Sequence, residues 1–77
     1  MNVEDLALRI APNPVEGSQM NVFQKTSSNL RITNVYGVLV RQIEDVGVAE
    51  KIDVSGLAPG LYILESDTET AKFIISD

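Results

Sequence analysis

Apolar and polar residues alternate along most of this chain, which is the pattern of half-buried β-strands. The alternation is clearest at 6–10 and 29–33, where every second side chain is apolar. No window shows helical periodicity, and strands at roughly 8–12-residue spacing are typical of a small antiparallel sandwich. We therefore predict an all-β fold of about seven strands, at 6–10, 19–24, 29–33, 38–43, 48–54, 61–65 and 70–75.

Turn-forming residues separate the predicted strands. Two prolines in the segment Ala11–Pro14 remove backbone donors and end the first strand, although the same Pro-Asn-Pro sequence is also a recognition candidate. Asn34–Gly37 predicts a hairpin turn, because Asn can start a turn and Gly adopts the left-handed conformation that closes it. Polar segments predict further turns at 25–28, 44–47 and 66–69.

The segment 52–64 predicts a strand, a tight connection and a second strand. Gly56 ends the first strand, and Pro59 fixes a φ near −65° before Gly60 accepts the positive φ that follows. No side chain in this segment suits catalysis, so we expect it to supply structure. Its predicted core residues are Ile52, Val54, Leu57, Tyr62 and Leu64.

Composition excludes several classes of function. The 77-residue chain has no Cys and no His, so thiolate metal sites, disulfides and imidazole bases are absent, and we predict neither enzymatic activity nor a cofactor. A net charge of −5 argues against nucleic acid as a partner. No apolar run approaches the ~20 residues of a membrane-spanning helix, so no membrane insertion is expected.

Two surface chemistries remain as alternatives. The acidic turns Glu44-Asp45 and Asp67/Glu69 offer carboxylates for catalysis, and Ser66–Glu69 offers oxygen ligands for calcium, but solvated turns explain both more simply. A carbohydrate-binding or adhesive module would need exposed aromatic side chains, and the chain has no Trp. Tyr36 lies beside a turn glycine, and we expect Tyr62 in the core with its hydroxyl at the rim. This module is the alternative function, and a plain spacer domain is the third.

The order of these motifs resembles one known family. The chain carries Ala-Pro-Asn-Pro14, then Leu30-Arg-Ile-Thr-Asn-Val-Tyr-Gly-Val-Leu-Val40, then the segment 52–64, and finally Lys72-Phe-Ile. Together they resemble the type A C-terminal sorting domain of the type IX (Por) secretion system of Bacteroidetes, from about Leu6 to Ile75. The signature positions of the resemblance are Pro12, Asn13, Pro14, Gly17, Asn34, Gly37, Gly56, Leu57, Gly60 and Tyr62.

The resemblance implies an immunoglobulin-like β-sandwich that serves as a secretion signal. A cargo protein would precede it, pass through the periplasm and cross the outer membrane by the type IX translocon. A sortase would then remove the domain, leaving the cargo at the cell surface or outside the cell. On this interpretation residues 1–5 are a linker remnant, residues 6–77 form the domain, and Met1 is not necessarily a native residue.

The last strand is the candidate for recognition by the translocon, through Lys72, Phe73, Ile74 and Ile75. Many family members follow Lys-Phe-Ile with a basic residue, whereas this chain continues with Ile75, Ser76 and Asp77. Recognition through a terminal cation is therefore not expected here. Pairing of a partner strand with an exposed sheet edge is a mode that would need no such charge.

Overall fold

The computed structural model describes residues 8–76. Within that range the chain forms seven β-strands and no helix. The strands are β1 (Arg9–Ala11), β2 (Gln19–Phe23), β3 (Ser28–Asn34), β4 (Leu39–Val46), β5 (Ala49–Asp53), β6 (Gly60–Glu65) and β7 (Thr70–Ile75). The predicted fold class is confirmed.

The strands form two antiparallel sheets that face each other. One sheet has the order β1-β2-β5 and the other the order β4-β3-β6-β7. Connections between the sheets run from β2 to β3, from β4 to β5 and from β5 to β6. Because each of these connections is short, neighbouring strand ends of the two sheets lie at the same end of the sandwich.

The inward-facing residues of both sheets make one apolar core. The alternation of the sequence places every second side chain of β2, β3 and β6 in it, as expected for strands with one buried face. Tyr62 and Phe73 stack with ring centroids 5.7 Å apart. No polar or charged residue is buried among residues 8–76. The buried residues are Leu8, Val15, Met20, Val22, Leu30, Ile32, Val46, Ile52, Val54, Tyr62, Leu64, Phe73 and Ile75.

The turn predicted at 44–47 is wrong, and the first strand is shifted along the chain. The turn predicted at 44–47 belongs mainly to β4, which continues to Val46. An acidic edge strand is compatible with Glu44 and Asp45 because both side chains are exposed. The first strand begins at Arg9 and includes Ala11, and the predicted positions Leu6 and Ala7 lie outside the described residues.

Irregular pairing explains why β4 does not show a simple alternation. Its register with β3 shifts between the pairs Ser28–Val46 and Leu30–Ile43, and again near Val40. Asp45 has a φ of 56°, and its N–H donates to the Asn29 side chain at 3.0 Å. The extra residues are β-bulges, which interrupt the period of two.

Candidate recognition surface

The signature residues converge at one end of the sandwich. Strands β1, β3, β5 and β7 end there, and β2, β4 and β6 begin there. We call this the signature end, formed by residues 11–18, 34–39, 54–60 and 74–76. Residue 8 and the connections 24–27, 47–48 and 66–69 lie at the opposite end, here called the entry end. The sequence motifs run from Ala11 to Ile74, and the alternating strand directions bring them together.

The β3–β4 hairpin carries the most exposed apolar residues of the signature end. The Asn34 Oδ1 accepts hydrogen bonds from the Tyr36 and Val38 N–H groups at 2.9 and 3.0 Å. The Gly37 N–H donates to the Asn34 carbonyl at 3.0 Å, with Gly37 at a φ of 81°. This confirms the predicted turn. The tip side chains are Val35, Tyr36, Val38 and Leu39, which are 55%, 86%, 55% and 48% exposed.

The β5–β6 connection is held by its own backbone and by Tyr62. The Leu57 N–H donates to the Val54 carbonyl at 3.2 Å, and Leu57 packs against the core as predicted. The Tyr62 hydroxyl donates to the Ala58 carbonyl at 2.6 Å, so this buried ring keeps its polar tip satisfied at the rim. Gly56 and Gly60 have φ of 84° and 151°, conformations that favour glycine.

Polar contacts fix the start of the same connection. The Ser55 N–H donates to the Asp53 carboxylate at 2.9 Å, and this hydrogen bond lowers the pKa of Asp53 below its usual 3.8. Arg41 reaches across from β4 and donates to the Ser55 carbonyl. The connection is therefore tied to both sheets, which limits how far it can move.

The Pro-Asn-Pro segment contacts the last strand. The Asn13 Oδ1 accepts from the Ile74 N–H at 3.1 Å, and the Val15 N–H donates to the Ile74 carbonyl at 2.7 Å. The Ser76 N–H donates to the Val15 carbonyl at 2.8 Å. Gly17 follows with a φ of 88°. The sequence predicted a strand terminator here; the structure adds a contact between the first and last parts of the domain.

The candidate recognition residues of β7 divide by burial. Phe73 and Ile75 face the core and are 1% and 5% exposed, whereas Lys72 and Ile74 face solvent. Ile74 lies opposite Leu61 in the β6–β7 pair, and both side chains are more than 40% exposed. A partner of the folded domain can therefore contact Lys72 and Ile74, while Phe73 and Ile75 hold the strand in place.

Charge is nearly absent from the signature end. The segments 34–40, 54–64 and 73–76 contain no charged residue, although 22% of the whole chain is charged. Glu16 is the one charged residue within the signature end, and Arg41, Asp53 and Lys72 directly adjoin the uncharged segments. Exposed apolar side chains in an uncharged setting indicate a surface that contacts another macromolecule. Sequence reasoning did not identify this surface, but the charge-free run around Tyr36 is the signal that could have found it.

The entry end is polar. A groove of about 300 Å³ lies there, lined by Leu8 and by residues 24–28 and 66–69. The Glu69 Oε1 accepts from the Leu8 N–H at 2.9 Å, and the Ser66 Oγ accepts from the Glu69 N–H at 3.0 Å. Among residues 8–76, no three Asp or Glu side chains lie close enough together to hold a metal ion. Of the loop oxygens considered for calcium, the Ser66 Oγ and the Glu69 Oε1 accept backbone hydrogen bonds.

The aromatic side chains do not form a flat platform for sugars. Tyr62 and Phe73 are buried, and Phe23 lies under the Arg9 guanidinium at 5.5 Å. Tyr36 alone of the four aromatic residues is fully presented to solvent. No helix in the described part of the chain has the length and apolar content needed to cross a membrane.

Comparison with known proteins identifies the family. A family model described as a secretion system C-terminal sorting domain matches residues 9–76. No curated protein matches the chain. A similar solved structure is PorZ of Porphyromonas gingivalis, described as an essential bacterial surface component of the type-IX secretion system, with a TM-score of 0.73. The two chains are 20% identical, and the similarity covers 91% of this chain and 11% of the PorZ chain, so it supports the fold. This chain belongs to the family of type IX secretion system C-terminal sorting domains.

Proposed function

We propose that this domain directs a preceding cargo protein through the outer membrane by presenting its signature end to the type IX translocon. Membership in the sorting-domain family supports the secretion role. The observation that carries the choice of surface is the convergence of the uncharged, exposed residues 34–39 at the end opposite Leu8. Because cargo joins before Leu8, it approaches the entry end and leaves the signature end accessible.

A sorting signal that works in this way needs a stable surface and no reactive group. The hairpin tip is fixed by the hydrogen bonds of Asn34, so the backbone that carries Tyr36 loses little conformational freedom when a partner binds. Aromatic residues that are exposed and surrounded by uncharged contacts are typical centres of protein interfaces. We therefore assign Tyr36 and Ile74, which both lie at the signature end, as the first contacts to test.

A secretion assay with paired charge variants tests this function. A reporter fused before residues 1–77 should be secreted by a host with a working type IX system. Tyr36→Asp should lower secretion by about tenfold or more, because burying an unpaired charge at an interface is costly. Thr26→Asp adds the same charge at the entry end and should leave secretion unchanged. Thermal unfolding of both purified variants establishes that each is folded.

Three results would contradict the proposal. Normal secretion of Tyr36→Asp removes the hairpin tip from recognition, and equal losses in both variants point to a general effect of charge. Retention of the parent fusion inside the host rejects the sorting role itself. Specific glycan binding by the parent chain, together with that retention, would favour the carbohydrate-binding alternative.

We also propose that a sortase cuts before Leu8, leaving the cargo at the cell surface or released. From Leu8 to Ala11 the backbone is protected, since Leu8 is buried and its N–H bonds to Glu69, and β1 pairs with β2. A protease needs an extended, accessible segment, which these contacts deny it. Mass spectrometry of the domain released from secreted fusions should show a first residue no later than Leu8. A cut inside residues 9–76, or an uncut fusion outside the cell, would contradict this step.

A further inference from the structure

Each sheet has two edge strands, and three of the four are poor partners for another strand. β1 has only three residues, which limits the pairing it can offer. β5 is short and exposes Glu50 and Lys51. β4 is long but carries two register shifts and the positive φ of Asp45. Short length, charge and bulges are the devices that prevent edge-to-edge association.

β7 has no bulge, and of these devices it carries only the charge of Lys72, which lies in its first half. It is a regular six-residue strand paired without interruption to β6, and Lys72 is its one charged residue. Phe73, Ile74 and Ile75 give its second half a strongly apolar, β-favouring sequence. An edge of this kind is expected to pair with other chains unless it is covered.

Residues 13–15, here called the clasp, cover this second half. Both backbone groups of Ile74 bond to the clasp, through the Asn13 side chain and the Val15 N–H. The Val15 carbonyl accepts from Ser76, and the Val15 side chain is fully buried. The Asn13 side chain thus supplies the acceptor that a backbone carbonyl of a neighbouring strand would supply. Val15 forms an isolated parallel β-bridge with Ile75.

We propose that the clasp is an edge guard that keeps the domain from dimerising through β7. Because backbone groups alternate along a strand, Thr70 and Lys72 direct theirs the same way as Ile74. Opening the clasp therefore exposes a continuous edge from Thr70 to Ser76. Three hydrogen bonds hold the clasp to β7 and Ser76, so removing the one that Asn13 accepts increases the fraction of molecules in which the clasp is open.

The occupant of the opened edge is a second copy of β7. A two-fold antiparallel pairing places Lys72 of one copy opposite Ile74 of the other, which keeps the two lysines apart while joining their apolar residues. The paired sheets would also extend the exposed Leu61–Ile74 face across the new interface. Pairing with an unrelated strand would not require this register.

Asn13→Ala in the purified chain tests the guard, with Asn13→Asp as the matched control that retains an acceptor oxygen. Amide hydrogen exchange at Ile74 and Ser76 should become about 2- to 12-fold faster in Asn13→Ala, the range that one net hydrogen bond supplies. Exchange at Leu64, in the centre of β6, should not change. Light scattering should show Asn13→Ala forming dimers at concentrations where the parent and Asn13→Asp are monomeric.

A second pair of substitutions locates the dimer contact. Adding Ile74→Lys to Asn13→Ala should restore the monomer, because a lysine on the edge strand opposes pairing. Adding Leu61→Lys places the same charge on the outer face but off the edge, and the dimer should persist. If Asn13→Ala also loses protection at Leu64, Asn13→Ser replaces it, because its side chain is one bond shorter and cannot reach Ile74.

Two outcomes overturn the proposal. Unchanged exchange at Ile74 in a folded Asn13 variant shows that the clasp does not depend on this contact. A variant that exchanges faster at Ile74 but remains monomeric at all concentrations shows that the open edge is not what the clasp guards. Loss of the dimer with Leu61→Lys assigns association to the sheet face and likewise rejects the β7 pairing.

Discussion

At the scale of single residues, glycine and asparagine set the shape of the hairpin that presents Tyr36. Asn34 accepts two backbone hydrogen bonds within the turn, and these bonds hold the short loop in shape. Gly37 adopts a φ of 81°, where a side chain would strain the backbone. The geometry of the proposed recognition surface therefore depends on the turn residues Asn34 and Gly37.

We predict that Gly37→Ala destabilises the domain by about 1 kcal/mol, the cost of placing a residue with a Cβ in the left-handed region. An added Cβ would meet no atom within 4 Å, so conformational strain is the whole effect. For a domain of this size the melting temperature should fall by about 4–8 °C.

Gly47→Ala is the matched control for that measurement. Its new Cβ would meet the Glu50 carboxylate at 2.9 Å, but that group ends a flexible, exposed side chain that can move away. Calorimetry should show a smaller loss than for Gly37→Ala. Equal losses would mean that the left-handed conformation of Gly37 contributes nothing to stability.

Residue types predicted local structure well and distant contacts poorly. Asn34, Gly37 and Tyr62 occupy the roles that their chemistry indicates within a few residues of chain. The contact between Asn13 and Ile74 joins positions 61 residues apart. The local sequences around these two residues are common ones that do not indicate a contact. Only the folded arrangement of two sheets brings the two residues together.

At the scale of secondary structure, β7 combines two tasks on alternate faces. Phe73 and Ile75 fill the core, while Lys72 and Ile74 face outward. A truncation that removes residues 73–77 would therefore remove part of the core together with the proposed contact residue Ile74. Failure of such a truncated protein to secrete cargo would not show which residues are read.

Single substitutions on the two faces separate these tasks. Phe73→Ala should destabilise the domain by about 3–5 kcal/mol, because it removes a buried aromatic ring that stacks on Tyr62. Ile74→Ala removes a side chain that is 47% exposed and should cost well under half as much. Urea unfolding of both variants measures the difference, and equal costs would contradict the assignment of faces.

The misplaced turn at 44–47 shows where strand patterns lose their meaning. Acidic residues in sequence favour a solvated turn, but an edge strand also exposes its side chains to solvent on several sides. The bulge at Asp45 removes the alternation that would have identified the strand. Edge strands with bulges are therefore harder to predict than central strands such as β3 and β6.

At the scale of the whole molecule, the fold class followed from strand spacing and turn chemistry. The partition of the strands into sheets of three and four did not follow, because it depends on which non-consecutive strands pair within each sheet. The grouping of exposed, uncharged residues at one end likewise emerges only when the directions of all seven strands are known.

Leu8 and Ser76 lie at opposite ends of the sandwich, so the domain acts as a spacer between those ends. The seven residues of β3 alone span about 20 Å at the usual rise per strand residue. In the proposed function, the point at which cargo is attached before Leu8 therefore lies at least that far from Tyr36. One short domain could then serve different cargo proteins, because the length of its strands separates the attachment point from the surface proposed for the translocon.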